Sequence, residues 1–191
     1  MKHLTKITDY KVDIEKLKSV YFNTIEKIIE WSKDDPTLYD FNAICVNQIP
    51  SDPLSIRGGN IRGLYWTYPK DSWEEEKRLN KIDENQYTEV CKPFKNTYVE
   101  EIYNEISQRW NIGRFRFLMK PPRSCLSWHR DPEKRLHIPL ITNPGCRMVI
   151  ESESFHMPAD GSVYITDNTK YHNFFNGGEI DRIHLVATLL N

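Results

Sequence analysis

Along residues 13–33 apolar side chains recur at helical spacing. Ile14, Leu17, Tyr21, Ile25 and Ile28 share one face, with charged and polar residues opposite. That pattern marks an amphipathic helix packed on a core. Asp34, Asp35 and Pro36 follow. Proline disfavours helix at the residue before it, so the helix is expected to end there. The same period returns over about residues 97–110, where Val99, Ile102, Tyr103, Ile106 and Trp110 form the stripe. Thr97 and Glu100 have the spacing of a capping box. Between the two helices, residues 67–93 are charged and poor in aliphatics. They read as a solvated loop or as a mobile lid over a site.

From Arg114 onward the period changes to two. RFRFLMK, CLSWHRD, RLHIPLI, RMVIES, SVYIT, YHNFF and RIHLVATLL follow at short intervals, some separated by the turn sequences NPG, PADG and FNGG. Short strands at this spacing predict a sandwich or barrel. The expected architecture is mainly β with N-terminal helices. With 191 residues the chain suits one domain with a substantial core. Within it, residues 1–111 are expected to form a helical and loop region that covers one face of a barrel built from residues 112–191.

Composition narrows the class. An apolar share of 39% and an aromatic share of 12% are enough to build a core and argue against a disordered chain. The formal charge of -1, from 26 basic and 27 acidic residues, gives no long-range pull toward nucleic acid or anionic membrane. The N-terminus has no apolar signal region. No run approaches the roughly 18 apolar residues of a membrane span. Cys45, Cys91, Cys125 and Cys146 are widely spaced with no CxxC pair. They read as free thiols in a reducing compartment, the cytoplasm, rather than as a zinc knuckle. Cys125 is expected to be a small core residue.

Candidate chemistry lies in the β half, which holds His129, His137, His156, His172 and His184. On a strand, residues i and i+2 point the same way, so His129 and Asp131 project together. An HxD pair alone is usually structural, and so is a lone histidine such as His172. Strand pairing can nevertheless bring His172 to the same point. Two imidazoles and one carboxylate on one face of an octahedron leave positions open, as in non-haem Fe(II) oxygenases. Arg182 comes ten residues after His172 and shares a strand face with His184, Val186 and Thr188. A buried guanidinium near a metal is costly without an anion, and it grips a carboxylate with two parallel hydrogen bonds. The distal carboxylate of 2-oxoglutarate is such an anion.

The stretches RFRFLMKPPRSCLSWHRD, RLHIPLITNP and ADGSVYITDNTKYHNFFNGGEIDRIHLVATLL resemble the aspartyl/asparaginyl β-hydroxylase family, which includes bacterial hydroxylases of free proline. The resemblance covers about residues 112–190. It implies a double-stranded β-helix, or jelly roll, that uses Fe(II), 2-oxoglutarate and O2. By that likeness His129, Asp131 and His172 hold the iron, and Arg182 pairs with the distal carboxylate. Arg135 and His137 contact the iron-proximal carboxylate. Some animal members lack the acidic ligand, whereas Asp131 is present here. Arg116, or the nearby Arg114, matches an arginine that the family's proline hydroxylases carry upstream of HxD.

The implied reaction is C–H hydroxylation of an amino acid, free or within a peptide, with release of succinate and CO2. Arg116, Arg123, Arg57 and Arg62 are candidates to grip a substrate carboxylate, and Tyr65 and Trp66 to wall the site. Arg135 and His137 alternate with Leu136, Ile138 and Leu140, so they face a polar interior or water. Trp128 is expected in the core and His156 at a surface or turn position, while His184, on the face of Arg182, is ambiguous and a candidate to support the groups that line the site. Two rivals stand. One is a cupin that binds metal without oxygenase chemistry. The other is a nucleic-acid-modifying oxygenase, since Arg114, Arg116, Lys120 and Arg123 interleave with Phe115 and Phe117.

Overall fold

The computed structural model describes residues 3–31, 43–57, 63–78 and 82–190. The chain opens with β1 (Leu4–Lys11) and α1 (Ile14–Trp31). The Oδ1 of Asp13 caps α1, accepting from the backbone N–H groups of Glu15 and Lys16 at 3.1 Å each. The stop signal at Asp34, Asp35 and Pro36 lies outside the described residues. Short strands follow: β2 (Ala43–Cys45), β3 (Asn47–Gln48), β4 (Tyr65–Thr67), β5 (Glu76–Arg78) and β6 (Glu89–Val90). Then comes α2 (Tyr98–Arg109). The residues of its capping box are used differently from the expectation. Thr97 Oγ1 donates to the carbonyl of Phe94 at 2.6 Å, and Glu100 accepts from the N–H of Asn96 at 2.5 Å. The turn before the helix places Asn96, not Thr97, within reach of the glutamate.

The barrel strands are β7 (Ile112–Lys120), β8 (Ser124–Cys125), β9 (His129–Arg130), β10 (Lys134–Ile141), β11 (Cys146–Ile150), β12 (Glu153–Phe155), β13 (Ser162–Thr166), β14 (His172–Asn176) and β15 (Arg182–Leu189). One sheet has the order β1-β13-β10-β15-β7-β2 and the other β12-β11-β14-β9-β4-β5, with β8 on β14. From β7 onward the chain changes sheet at almost every step, and neighbouring strands are antiparallel. This is a double-stranded β-helix. The region before residue 112 is not only helix and loop. β1 extends one sheet, β2 closes its other edge, and β4 and β5 extend the second sheet. Short strands with mixed polar sequence, such as LTKITDYK and YWT, carry too little periodicity to be seen alone.

Alternation sorts the first sheet into two faces. Phe115 and Phe117 of β7, Leu136, Ile138 and Leu140 of β10, and Ile183, Leu185 and Ala187 of β15 join Leu17, Ile28, Ile102 and Ile106 of the helices in the main core. The intervening residues of the same strands point into the barrel. A second cluster, Cys146, Met148, Ile150, Met157, Tyr164 and Phe174, fills part of the barrel interior. The helices therefore support the site's strands from behind without reaching the site. Among the described residues no helix is long and apolar enough to cross a membrane.

Candidate active site

The interior faces of these strands carry the polar residues. Arg114, Arg116, Arg135, His137 and Arg182 all border one cavity of about 540 Å³, together with His129, Asp131 and His172. Arg135 and His137 thus face a polar interior rather than water, at 8% and 5% exposure. The arginine–phenylalanine run of β7 is no surface stripe. Phe115 and Phe117 are in the core and Arg114 is buried. The two aromatic residues of the nucleic-acid reading are therefore not exposed.

His129 and His172 are direct cross-strand partners, and their ring centroids lie 4.4 Å apart. Asp131 follows β9, its N–H held by the carbonyl of Asn168 at 2.8 Å. One donor atom from each of His129, Asp131 and His172 lies within 4.8 Å of the other two. In both rings Nδ1 faces a backbone carbonyl, that of Ser127 at 2.6 Å and of Lys170 at 2.9 Å. A carbonyl can only accept, so Nδ1 carries the proton and Nε2 keeps the lone pair that a metal needs. Burial pushes His172 down to about 4, more than the nearby Asp131 raises it, so its ring is neutral at neutral pH. Arg135 Nη2 holds Asp131 Oδ2 at 3.0 Å, while Oδ1 faces His129 Nε2 at 3.8 Å. Arg135 thereby orients the carboxylate as well as lining the cavity.

Asn168 is a participant that sequence reading missed. Its Nδ2 donates to His172 Nε2 at 2.8 Å, and its Oδ1 accepts from Thr166 at 2.5 Å. A metal uses the same lone pair, so the carboxamide must release it when a metal is held. An asparagine four residues before a histidine carries no distinctive sequence signal.

Arg182 is 4% exposed and lines the cavity. Its guanidinium carbon lies 3.8 Å from the ring centroid of Phe174, and Nη2 meets Nδ1 of His184. Among the described residues no carboxylate pairs with it, and its Nε has no hydrogen-bond partner. Burial lowers its pKa to about 9. Burial, and then the neighbouring Arg114, lower Arg116 to about 10. On β7, Arg116 stands four residues from Lys120, which is the partner of Arg182. That separation is roughly 13 Å along a strand, so the two arginines enter the cavity wall from well-separated positions.

A clamp on the outer face ties the β4–β5 hairpin to both histidine strands. Glu75 accepts from Arg130 Nε at 2.7 Å, from Arg130 Nη2 at 2.5 Å and from the Tyr171 hydroxyl at 2.6 Å. Arg130 and Tyr171 are the chain neighbours of His129 and His172. Arg130 also stacks over Trp66 at 4.1 Å, and Tyr65 packs edge-on to His129 at 5.9 Å. Tyr65 therefore walls the cavity, whereas Trp66 lies outside it. Glu75→Ala is expected to free the hairpin. Limited proteolysis of the metal-free protein should then cut residues 67–78 several-fold faster than in wild type. Equal rates would show that β4–β9 pairing alone holds the segment.

Trp128, Cys125 and Arg123 depart from expectation. Trp128 is 37% exposed and stacks on Tyr171, with ring centroids 6.1 Å apart and planes 20° apart. Cys125 is exposed, because β8 places it outside both cores. Arg123 is exposed and pairs with Glu179 at 2.7 Å, and it does not line the cavity. His156 is half-buried, with Nδ1 3.0 Å from the carbonyl of Cys146. Arg62 lies outside the described residues. All four cysteines are free.

A jelly-roll barrel in which two imidazoles and a carboxylate converge beside a cation-lined cavity offers a candidate metal site. The chain belongs to the aspartyl/asparaginyl β-hydroxylase family, whose sequence profile matches residues 65–191, well over half of it. A comparison with curated proteins finds no match. Among solved structures the chain is similar to AviO1 from Streptomyces viridochromogenes Tue57, at 16% identity and TM-score 0.49, covering 99% of this chain and 90% of that one. It is similar to a Pseudomonas putida prolyl-4-hydroxylase at 13% identity and TM-score 0.46, covering 99% and 93%. A predicted oxalate decarboxylase from Thermotoga maritima matches at 22% identity and TM-score 0.37, covering 48% and 73%. The protein is an enzyme of the hydroxylase class.

Proposed function

We propose that this hydroxylase depends on Fe(II) and 2-oxoglutarate, with His129, Asp131 and His172 as the iron ligands and Arg182 as the anchor of the co-substrate's distal carboxylate. The observation that carries the reading is Arg182, a buried guanidinium in the cavity wall with no carboxylate of its own among the described residues. The donor set fits the metal. Its two histidines keep Nε2 lone pairs, and its aspartate is oriented by Arg135. Iron and 2-oxoglutarate bound there would supply the oxidising power for C–H hydroxylation, using O2 and releasing succinate and CO2. The protein's own residues orient the two carboxylate ends, wall off water and present one C–H bond to the metal side. Arg135 and His137 serve the proximal end of the co-substrate. Arg116, well separated from Arg182 in the cavity wall, is assigned to a carboxylate of the substrate, an amino acid free or within a peptide. The free cysteines accord with a reducing compartment, the cytoplasm.

The test of the activity is succinate release measured across amino acids and peptides with and without a free carboxylate. Iron-dependent release should rise with carboxylate-bearing substrates. Metal binding without any succinate would favour a non-oxygenase cupin. The ligand assignment has its own readout. Fe(II) plus 2-oxoglutarate should give the anaerobic wild-type protein a weak visible charge-transfer band. Asp131→Ala and His172→Ala, with circular dichroism unchanged, should lose it. A normal band in either variant removes that residue from the ligand set.

A further inference from the structure

We propose that His184 is a positioning residue that aims Arg182 into the cavity while leaving the guanidinium charge for an incoming carboxylate, an inference that rests on reading the cavity as a 2-oxoglutarate site. Arg182 and His184 are i and i+2 on β15 and share its interior face. Arg182 lines the cavity and His184, 1% exposed, lies behind it. The contact runs from Arg182 Nη2 to His184 Nδ1. A guanidinium only donates, so Nδ1 holds a lone pair and the proton sits on Nε2. The ring is therefore neutral. Burial, followed by the charge of Arg182 and the nearby His137, drives its pKa well below the usual histidine range. His137 and Phe174 pack edge-on against it, at 5.7 Å and 6.0 Å between centroids.

Other arginines of this chain show what the arrangement avoids. Arg114 is held by Glu84, Arg130 by Glu75, and Arg135 by Asp131 and Glu133. In each case a carboxylate fixes the geometry and cancels the charge. Arg182 is instead fixed by an aromatic face and a neutral nitrogen. Both restrict its rotamer and neither supplies negative charge. A carboxylate at position 184 would be an internal competitor for the ligand. A neutral acceptor keeps the fork oriented, so less ordering remains to be done when the ligand arrives.

The test uses the full chain loaded anaerobically with Fe(II), titrated with 2-oxoglutarate and followed by the charge-transfer band, with iron affinity and Tm measured in parallel. Asparagine places its amide oxygen where Nδ1 stands, and leucine has similar size with no acceptor. His184→Asn should bind 2-oxoglutarate within about threefold of wild type, and His184→Leu about 10- to 100-fold more weakly, the loss of one hydrogen bond to a charged group. His184→Glu should bind at least as weakly as His184→Leu. Iron affinity should be the same in all three. Asparagine and leucine variants of equal affinity, whether both tight or both weak, overturn the proposal. If His184→Leu does not fold, His184→Gln replaces it, because its oxygen reaches the Nε2 position instead. Glutamine binding as well as asparagine then overturns the proposal. A wild-type protein that binds iron but not 2-oxoglutarate fails the underlying functional reading, whereas a tight wild type with an equally tight His184→Leu fails only this inference.

Discussion

Arg182→Ala is expected to weaken 2-oxoglutarate binding by about 30- to 1,000-fold or more, with little change in iron affinity. Truncating one partner of a desolvated charge pair costs roughly 2–5 kcal/mol, because the other charge is left buried and unpaired. Each 1.4 kcal/mol is about tenfold in affinity. The barrel geometry puts Arg182 at the upper part of that range. It is buried, it borders the cavity, and no carboxylate among the described residues competes with the ligand for it. Arg182→Lys should recover only part of the loss, since an ammonium cannot make the planar two-point contact. Arg135→Ala should behave differently. Arg135 also holds Asp131 Oδ2, so its loss should lower iron affinity together with co-substrate affinity. Titration of each variant with Fe(II) and with 2-oxoglutarate separates the two patterns. An Arg182→Ala protein that binds 2-oxoglutarate as tightly as wild type would leave a metal-binding jelly roll with no anchor for the co-substrate.

The second large effect is on stability, at Glu84→Ala, where a loss of about 3–5 kcal/mol is expected. Glu84 is 9% exposed and Arg114 is 1% exposed. Glu84 Oε1 accepts from Arg114 Nε at 2.8 Å and from Nη2 at 2.5 Å, and Oε2 accepts from the backbone N–H of Arg114 at 2.7 Å. The carboxylate lies so close over Gly113 that a Cβ there would meet Oε2 at 2.7 Å, which is why the position before Arg114 is glycine. Removing Glu84 leaves a buried guanidinium without its carboxylate. Urea denaturation should show a lower midpoint with an unchanged slope. A change below about 1 kcal/mol would place the pair among those whose desolvation cost cancels their attraction.

The same pair makes stability pH-dependent in a defined direction. Burial pushes the Glu84 carboxyl up, but the hydrogen bond and charge of Arg114 more than offset it, holding it at about 2 against an ordinary value of 4.5. Folded Glu84 thus binds its proton less readily than unfolded Glu84. Its contribution is fully present above pH 4.5 and is lost as pH falls toward and through 2. The stability gap between wild type and Glu84→Ala should be constant from pH 5 to 7 and shrink below pH 4.

The candidate site was unusually legible for a chain read alone, and the reason is the period of a strand. His129 with Asp131, Arg135 with His137, and Arg182 with His184 are all i, i+2 pairs. Alternation therefore put each pair on one face without any knowledge of the fold. For the last two pairs the aliphatic residue between, Leu136 and Ile183, told which face was core; Arg130, between His129 and Asp131, gave no such signal. Helices α1 and α2 were legible for the same kind of reason, at a period of 3.6.

The remaining features depend on contacts that local sequence does not encode. β9 is two residues long, and only its pairing with β14 brings His129 beside His172. Trp128 and Cys125 read as core because they are apolar. Their exposure follows from where β8 and β9 lie in the second sheet. Asn168 and the Glu75 clamp act across gaps of 4 and 55 to 96 residues, with residue types that are common on any surface. The sequence by itself determined which side chains can share a face, since that depends on backbone periodicity alone. Only the tertiary structure decided which faces meet around one cavity, which cations there receive a carboxylate from the protein, and that Arg182 is held by neutral groups, because those depend on strand order and register between distant segments.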